Sequence, residues 1–179
     1  MREFTNNNAL YQVWYDDCPI GRFSYTKAVE RKVEIRGCGI ETTRSVKACV
    51  ENSVNVGTRL LYSFIGGEFE PTIEGNQVEI SVNYVDELVE VADHTLAKRA
   101  GMSYLGLTES DASVIADCIA ELLLKNGMQS IPGKLIIDTA ITSEVGSSSY
   151  EFSKLARYFY SVIFSLVARR ELPNPFSES

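Results

Sequence analysis

His94 is the sole histidine in the 179-residue chain, so general acid-base work near neutral pH by an unperturbed side chain would fall to one ring. It stands between Asp93 and Thr95, but adjacent residues do not bring a base against its orienting acid, and one imidazole cannot build a His-based metal cage. The four cysteines, Cys18, Cys38, Cys49 and Cys118, have irregular spacings and no C-x-x-C pair. That pattern fits neither a zinc site nor a dense disulfide framework, and it reads as buried thiols. Cys38, flanked by Gly37 and Gly39, is the thiol expected to be most exposed, yet Arg36 is the one basic neighbour that could draw it toward thiolate. Carboxylates cluster at Asp16-Asp17 and at Asp86, Glu87, Glu90 and Asp93. Without EF-hand alternation around a central glycine, they read as solvated surface. Gly37-Cys38-Gly39 and Gly66-Gly67 lack the spacing of a dinucleotide or phosphate loop and read as turns. The expectation is a protein that is not an enzyme, with no catalytic residues, no metal and no cofactor.

Local patterning outlines the elements around these residues. From Leu10 to Arg36 the chain alternates as strands do, with Tyr11, Val13 and Tyr15 before a turn at Asp16 to Gly21. Phe23 and Tyr25, then Val33 and Ile35, follow in the same manner, which predicts an N-terminal β-hairpin or short meander. Residues 42–65 fit helical spacing after a Thr42 or Thr43 cap, but their Val, Thr and Tyr content favours two strands, about 44–51 and 58–65. Val78, Ile80, Val82 and Tyr84 alternate with Glu79, Ser81 and Asn83, the cleanest strand in the sequence. Asp86 to Asp93 reads as loop or short helix, and Met102 to Leu107 as a further strand.

Two helices are predicted after that. Thr108 with Asp111 forms a capping-box pattern ahead of Val114, Ile115, Cys118, Ile119, Leu122 and Leu123, a one-face repeat closed by Lys125-Asn126-Gly127. Leu135-Ile136-Ile137 is a short apolar run after Pro132-Gly133. Ser148 with Glu151 opens the second helix, through Phe152, Leu155, Phe159, Val162, Ile163, Leu166 and Val167, and Tyr158, Tyr160 and Phe164 add rings to its other faces. A helix apolar nearly all round needs cover on several sides, so it is expected either to be a central core helix of this chain or to meet another subunit with part of its surface. Pro173-Asn174-Pro175-Phe176 would be an arm able to dock on a neighbour. The layout is a single domain over 1–179, mostly β over 1–107, mostly α over 108–172, with a tail at 173–179.

Charge narrows the function classes. Seventeen Lys and Arg against 24 Asp and Glu give −7, which argues against a wide electrostatic grip on phosphates. Residues 1–37 carry +1, residues 38–107 carry −5 and residues 108–179 carry −3. Basic residues are therefore densest near Arg22, Lys27, Arg31, Lys32 and Arg36. With 45% hydrophobic residues the chain is too apolar for disorder, and no uncharged apolar stretch approaches the roughly 20 residues of a membrane-spanning helix. The opening Met1 to Asn8 has no apolar signal region, so an intracellular origin is expected.

The stretch Leu107 to Pro132, with Thr108, Ser110-Asp111, an amphipathic run to Leu122-Leu123-Leu124-Lys125-Asn126-Gly127 and then Ile131-Pro132, resembles the first C-terminal helix of the coat proteins of single-stranded RNA bacteriophages. Gly75 to Tyr84 is similar to the penultimate sheet strand of that family, and Ala100 to Leu107 to its last. The resemblance covers about a third of the chain. It implies an α+β fold in which an N-terminal β-hairpin and an antiparallel sheet precede C-terminal helices that pack on a partner subunit. The chain departs from the family in its length beyond the first helix, in its acidity, and in Glu79 on the polar strand face, where a hydroxyl or basic group is usual.

The expected function is a structural capsid subunit, a homodimer that self-assembles into a shell enclosing RNA. Its RNA-facing candidates are Lys47, Ser81 and Asn83, with little sequence specificity. Its interface candidates are Ile115, Ile119, Leu122, Phe152, Phe159, Ile163 and Leu166. The location would be the virion or host cytoplasm, with no membrane. The alternative is an acidic intracellular binding or inhibitory protein of the immunity type, steered by residues 38–107 toward a basic partner.

Overall fold

The computed structural model describes residues 1–20, 27–35, 44–90, 101–125, 131–144 and 146–177. In chain order the elements are β1 (Arg2–Thr5), β2 (Ala9–Tyr15), β3 (Lys27–Glu34), β4 (Val46–Val56), β5 (Arg59–Pro71), β6 (Gln77–Tyr84), β7 (Val89–Glu90), β8 (Ser103–Leu105), α1 (Glu109–Lys125), β9 (Gly133–Ser143) and α2 (Ser149–Val167). The nine strands form one mixed, mostly antiparallel sheet. Its main path runs β1-β2-β4-β5-β9-β6-β3, and β8 pairs with both β7 and β9.

The N-terminal hairpin exists, but with other partners than the alternation suggests. Asn6 Oδ1 accepts from the backbone N–H groups of Asn8 and Ala9, at 2.9 and 2.7 Å, an Asx turn that folds β1 onto β2. The stretch expected to follow β2 across the turn at Asp16 to Gly21 lies largely outside the described residues, and among the described residues β2 and β3 are not neighbours. β2 pairs with β4 and β3 with β6, on opposite sides of the sheet. Pairing follows which edges remain open, and local alternation does not encode that. Phe23 and Tyr25 lie outside the described residues.

The ambiguous segment is two strands, β4 and β5, each longer than the sequence predicts. They meet at Gly57-Thr58, where Gly57 holds φ +62°, the left-handed conformation that tight hairpins favour and glycine adopts without penalty. Gly66-Gly67 is not a turn. It sits inside β5, beside an irregular register where Asp138 is the extra residue on β9. A Cβ on Gly67 would overlap the Ile136 carbonyl, and one on Gly66 would press on the Cys49 sulfur. These glycines are close-approach residues.

The sheet also departs from an all-antiparallel plan. β9, expected as a short apolar run in a mostly helical region, is an eleven-residue strand placed between β5 and β6. It runs antiparallel to β5 and parallel to β6. The crossover from β6 to β9 carries α1, as parallel neighbours require.

Both helices begin as their capping patterns predict. The Asp111 N–H donates to Thr108 Oγ1 at 3.2 Å while Thr108 donates to the Asp111 carboxylate at 2.8 Å, and the Glu151 N–H donates to Ser148 Oγ at 3.3 Å. α1 packs on β3 and β6, α2 packs on β4 and β5, and the helices touch each other. The main core fills the layer between helices and sheet. On the opposite sheet face, a smaller cluster of Cys49, Tyr62, Phe64 and Ile141 lies under Trp14, Cys18, Ile20 and Leu105. No helix among the described residues is long and apolar enough to cross a membrane.

Candidate functional site

Because side chains alternate along strands, each strand divides its residues between a helix-covered face and a helix-free face. Val78, Ile80 and Val82 of β6 are buried under α1, which turns Glu79, Ser81 and Asn83 to the free face. Cross-strand register then defines two rows there. One runs Lys47, Glu68, Ile136, Ser81 and Glu30; the other runs Glu70, Lys134, Glu79 and Lys32. The RNA-facing candidates Lys47, Ser81 and Asn83 therefore share one face, with Lys47 and Ser81 in the same row.

The electrostatics of that face are acidic. Lys47 Nζ lies 3.4 Å from Glu68 Oε2, and Lys32 Nζ lies 2.6 Å from Glu79 Oε1. The hydrogen bond and charge of Lys32 hold the Glu79 carboxyl below the usual carboxylate range, and Glu79 in turn raises the Lys32 ammonium. Glu30, Glu34 and Glu70 are exposed and make no ion pair among the described residues, and Lys134 is the exposed cation between Glu70 and Glu79. Among the described residues, carboxylates outnumber cations on this surface. Where β6 and β9 begin, Thr72, Glu74, Gln77, Glu79 and Lys134 line an open cleft of about 410 Å³.

Of the basic residues that the sequence concentrates near the N-terminus, Lys27, Arg31 and Lys32 are engaged. Lys27 pairs with Asp86 at 2.7 Å, and Arg31 Nε donates to Asp117 Oδ1 at 2.7 Å, tying β3 to α1. The Arg31 hydrogen bond depresses the Asp117 carboxyl, against a small opposing effect of burial. Arg22 and Arg36 lie outside the described residues, as do His94, Asp93 and Cys38. Asp16 contacts Arg44 at 3.5 Å at the surface. Among the described residues, no group of three or more His, Cys, Asp or Glu side chains could hold a metal ion.

Most of the interface candidates are buried inside the chain itself. Ile115, Ile119, Phe152, Phe159 and Ile163 are each 0% exposed within the single chain, and Leu122 and Leu166 pack half-buried against the same core. α2 is apolar on several faces because this chain covers it on several sides. The sheet lies beneath it and α1 beside it. Phe4 and Tyr11 stack edge-on against Tyr158 from another direction. The tail also returns to its own helix: Tyr158 Oη donates to the Pro173 carbonyl at 3.1 Å, and Phe176 meets Tyr11 at 5.4 Å between ring centres.

The thiol reading also needs correction. Cys18 and Cys49 form a disulfide that ties the segment after β2 across β4, while Cys118 is a buried free thiol. Irregular spacing hides this pair because it joins positions 31 residues apart that only the β2-β4 ladder brings together. Beneath it, Tyr62 Oη donates to Glu51 Oε1 at 2.7 Å, both residues wholly buried. Strand alternation from Cys49 is the signal that places Glu51 on this face. Comparison of the chain with family models, curated proteins and solved structures finds no match.

Proposed function

We propose that this chain is a non-catalytic binding protein whose helix-free sheet face takes a basic partner. The carrying observation is the charge pattern of that face: Glu30, Glu34 and Glu70 are exposed without ion pairs among the described residues, with Lys134 as the exposed cation among them. Such a surface attracts Lys and Arg side chains and repels phosphate, and it does so over a Debye length of about 8 Å at physiological salt. The cleft lined by Glu74, Gln77 and Glu79, with Lys134 on the same wall, offers one partner side chain a recess in which two carboxylates outnumber one ammonium. The sheet face supplies a broad surface on which several weak charge contacts add.

Titration of the protein with a labelled Lys-rich peptide, a Glu-rich peptide and single-stranded RNA tests this reading. The Lys-rich peptide should bind, weaken steeply with salt, and lose most of its affinity to a Glu30→Lys, Glu34→Lys, Glu70→Lys variant. Tighter binding to RNA than to the basic peptide would overturn it.

The capsid-subunit reading is the second, and one observation favours it: Lys47, Ser81 and Asn83 share a single continuous sheet face. On this reading that face would line the interior of an RNA-enclosing shell, and subunits would join through sheet edges, since the helix faces are spent inside the chain. Negative-stain microscopy separates the two. Closed particles containing RNA would favour the shell, and uniform small species the binding protein.

A further inference from the structure

We propose that residues 170–177 form an exchangeable arm, and that two copies of this chain dimerise by swapping these arms. The arm packs against β2 and α2. Leu172 packs half-buried on the core, the Pro173 carbonyl accepts from Tyr158, and the Phe176 ring stands edge-on to Tyr11. The Phe176 N–H donates to Asn174 Oδ1 at 3.0 Å and the Ser177 hydroxyl to the Asn174 carbonyl at 2.7 Å. The end of the arm is thus a turn closed by its own hydrogen bonds.

The hinge carries the argument. α2 ends in two reversing hydrogen bonds, from the Arg169 N–H to the Leu166 carbonyl at 3.2 Å and from the Arg170 N–H to the Ser165 carbonyl at 2.8 Å. This is the Schellman arrangement, which normally places glycine at the residue with positive φ. Here that residue is Arg169, at φ +54°, and an L side chain in this conformation is disfavoured by about tenfold in population. The strain exists because the arm must turn back along its own helix. An arm released at Arg169 projects forward and can take the same place on a second copy, with every contact kept and the hinge relaxed. A strained short hinge joining a terminal segment to its socket is the setting in which exchange between identical chains costs least.

Sedimentation equilibrium of the full chain tests the exchange. Arg169→Gly relaxes the closed hinge and should weaken dimerisation roughly a hundredfold, since two hinges relax per dimer. Arg169→Ile, whose branched side chain tolerates positive φ poorly, should strengthen it. A chain ending at Arg169 should be monomeric. Oxidising a mixture of Tyr11→Cys and Phe176→Cys chains should yield covalent dimers that either chain alone does not give. A dimer that survives arm removal, no change in association between Arg169→Gly and Arg169→Ile, or no mixed cross-link would each overturn the proposal.

Discussion

Along the same strands, Phe69, Leu135 and Ile80 point under the helices while Glu70, Lys134 and Glu79, one residue away, point to the free face. The first set is closed off from water by α1 and α2. The second carries charge in the open. Apolar packing and surface charge are therefore assigned to opposite sides of one sheet by a spacing of a single residue, and a one-residue slip of register would exchange them. Natural selection can change the charges on the open side with little effect on folding, because they contribute almost nothing to the core.

Substitutions can break or sharpen that contrast. The largest effect belongs to the covered side: Phe159→Ala should lower unfolding free energy by about 3–5 kcal/mol, read from the denaturant midpoint. Replacing Cys18 and Cys49 together by Ala opens the loop closed over the free face and should cost about 2–4 kcal/mol, with the melting temperature of the native chain falling similarly under reductant. Equal cost to Phe159→Ala would mean the two faces share the work. Gly67→Ala should cost about 1–3 kcal/mol through overpacking at the Ile136 carbonyl. Smaller again is the Arg31 to Asp117 bridge. The depressed Asp117 carboxyl contributes stability that is present above the ordinary Asp range and lost as pH falls below about 4. Asp117→Asn should flatten that part of a stability titration. The smallest change is expected for Glu30→Lys, Glu34→Lys, Glu70→Lys, within about 0.5 kcal/mol per site, although its binding to a basic peptide should collapse.

What the sequence reveals here follows the range of each interaction. The Thr108 and Ser148 caps depend on residues three apart and are readable directly, as is the alternation of Val78 to Tyr84. Residues 44–65 resolve to strands once their β-branched content is weighed above the helical spacing. The partners of those strands are not readable in this way: β2 and β3 carry similar alternation yet belong to opposite sides. Gly66 and Gly67 look like turn residues because glycine serves turns and close approaches equally. The apolar surplus of α2 is visible, but which chain covers it depends on the return path of the tail. Of the helix-free face, Lys47, Ser81 and Asn83 are legible by alternation. Glu34 joins them through the β3-β6 ladder, and Glu70 and Lys134 through the ladders that set β9 beside β5 and β6.

The central place of β9 has a consequence for how the molecule is made. During synthesis, β4 and β5 can pair early, and so can β3 and β6, but the two halves stay unjoined until residues 133–143 arrive and slide between them. Before that, β5 and β6 each expose a long unpaired edge to other chains. The last quarter of the polypeptide therefore acts as the keystone of assembly. A ribosome stalled before Gly133 would release a product with two sticky edges and no way to close them, a ready client for chaperones or proteases.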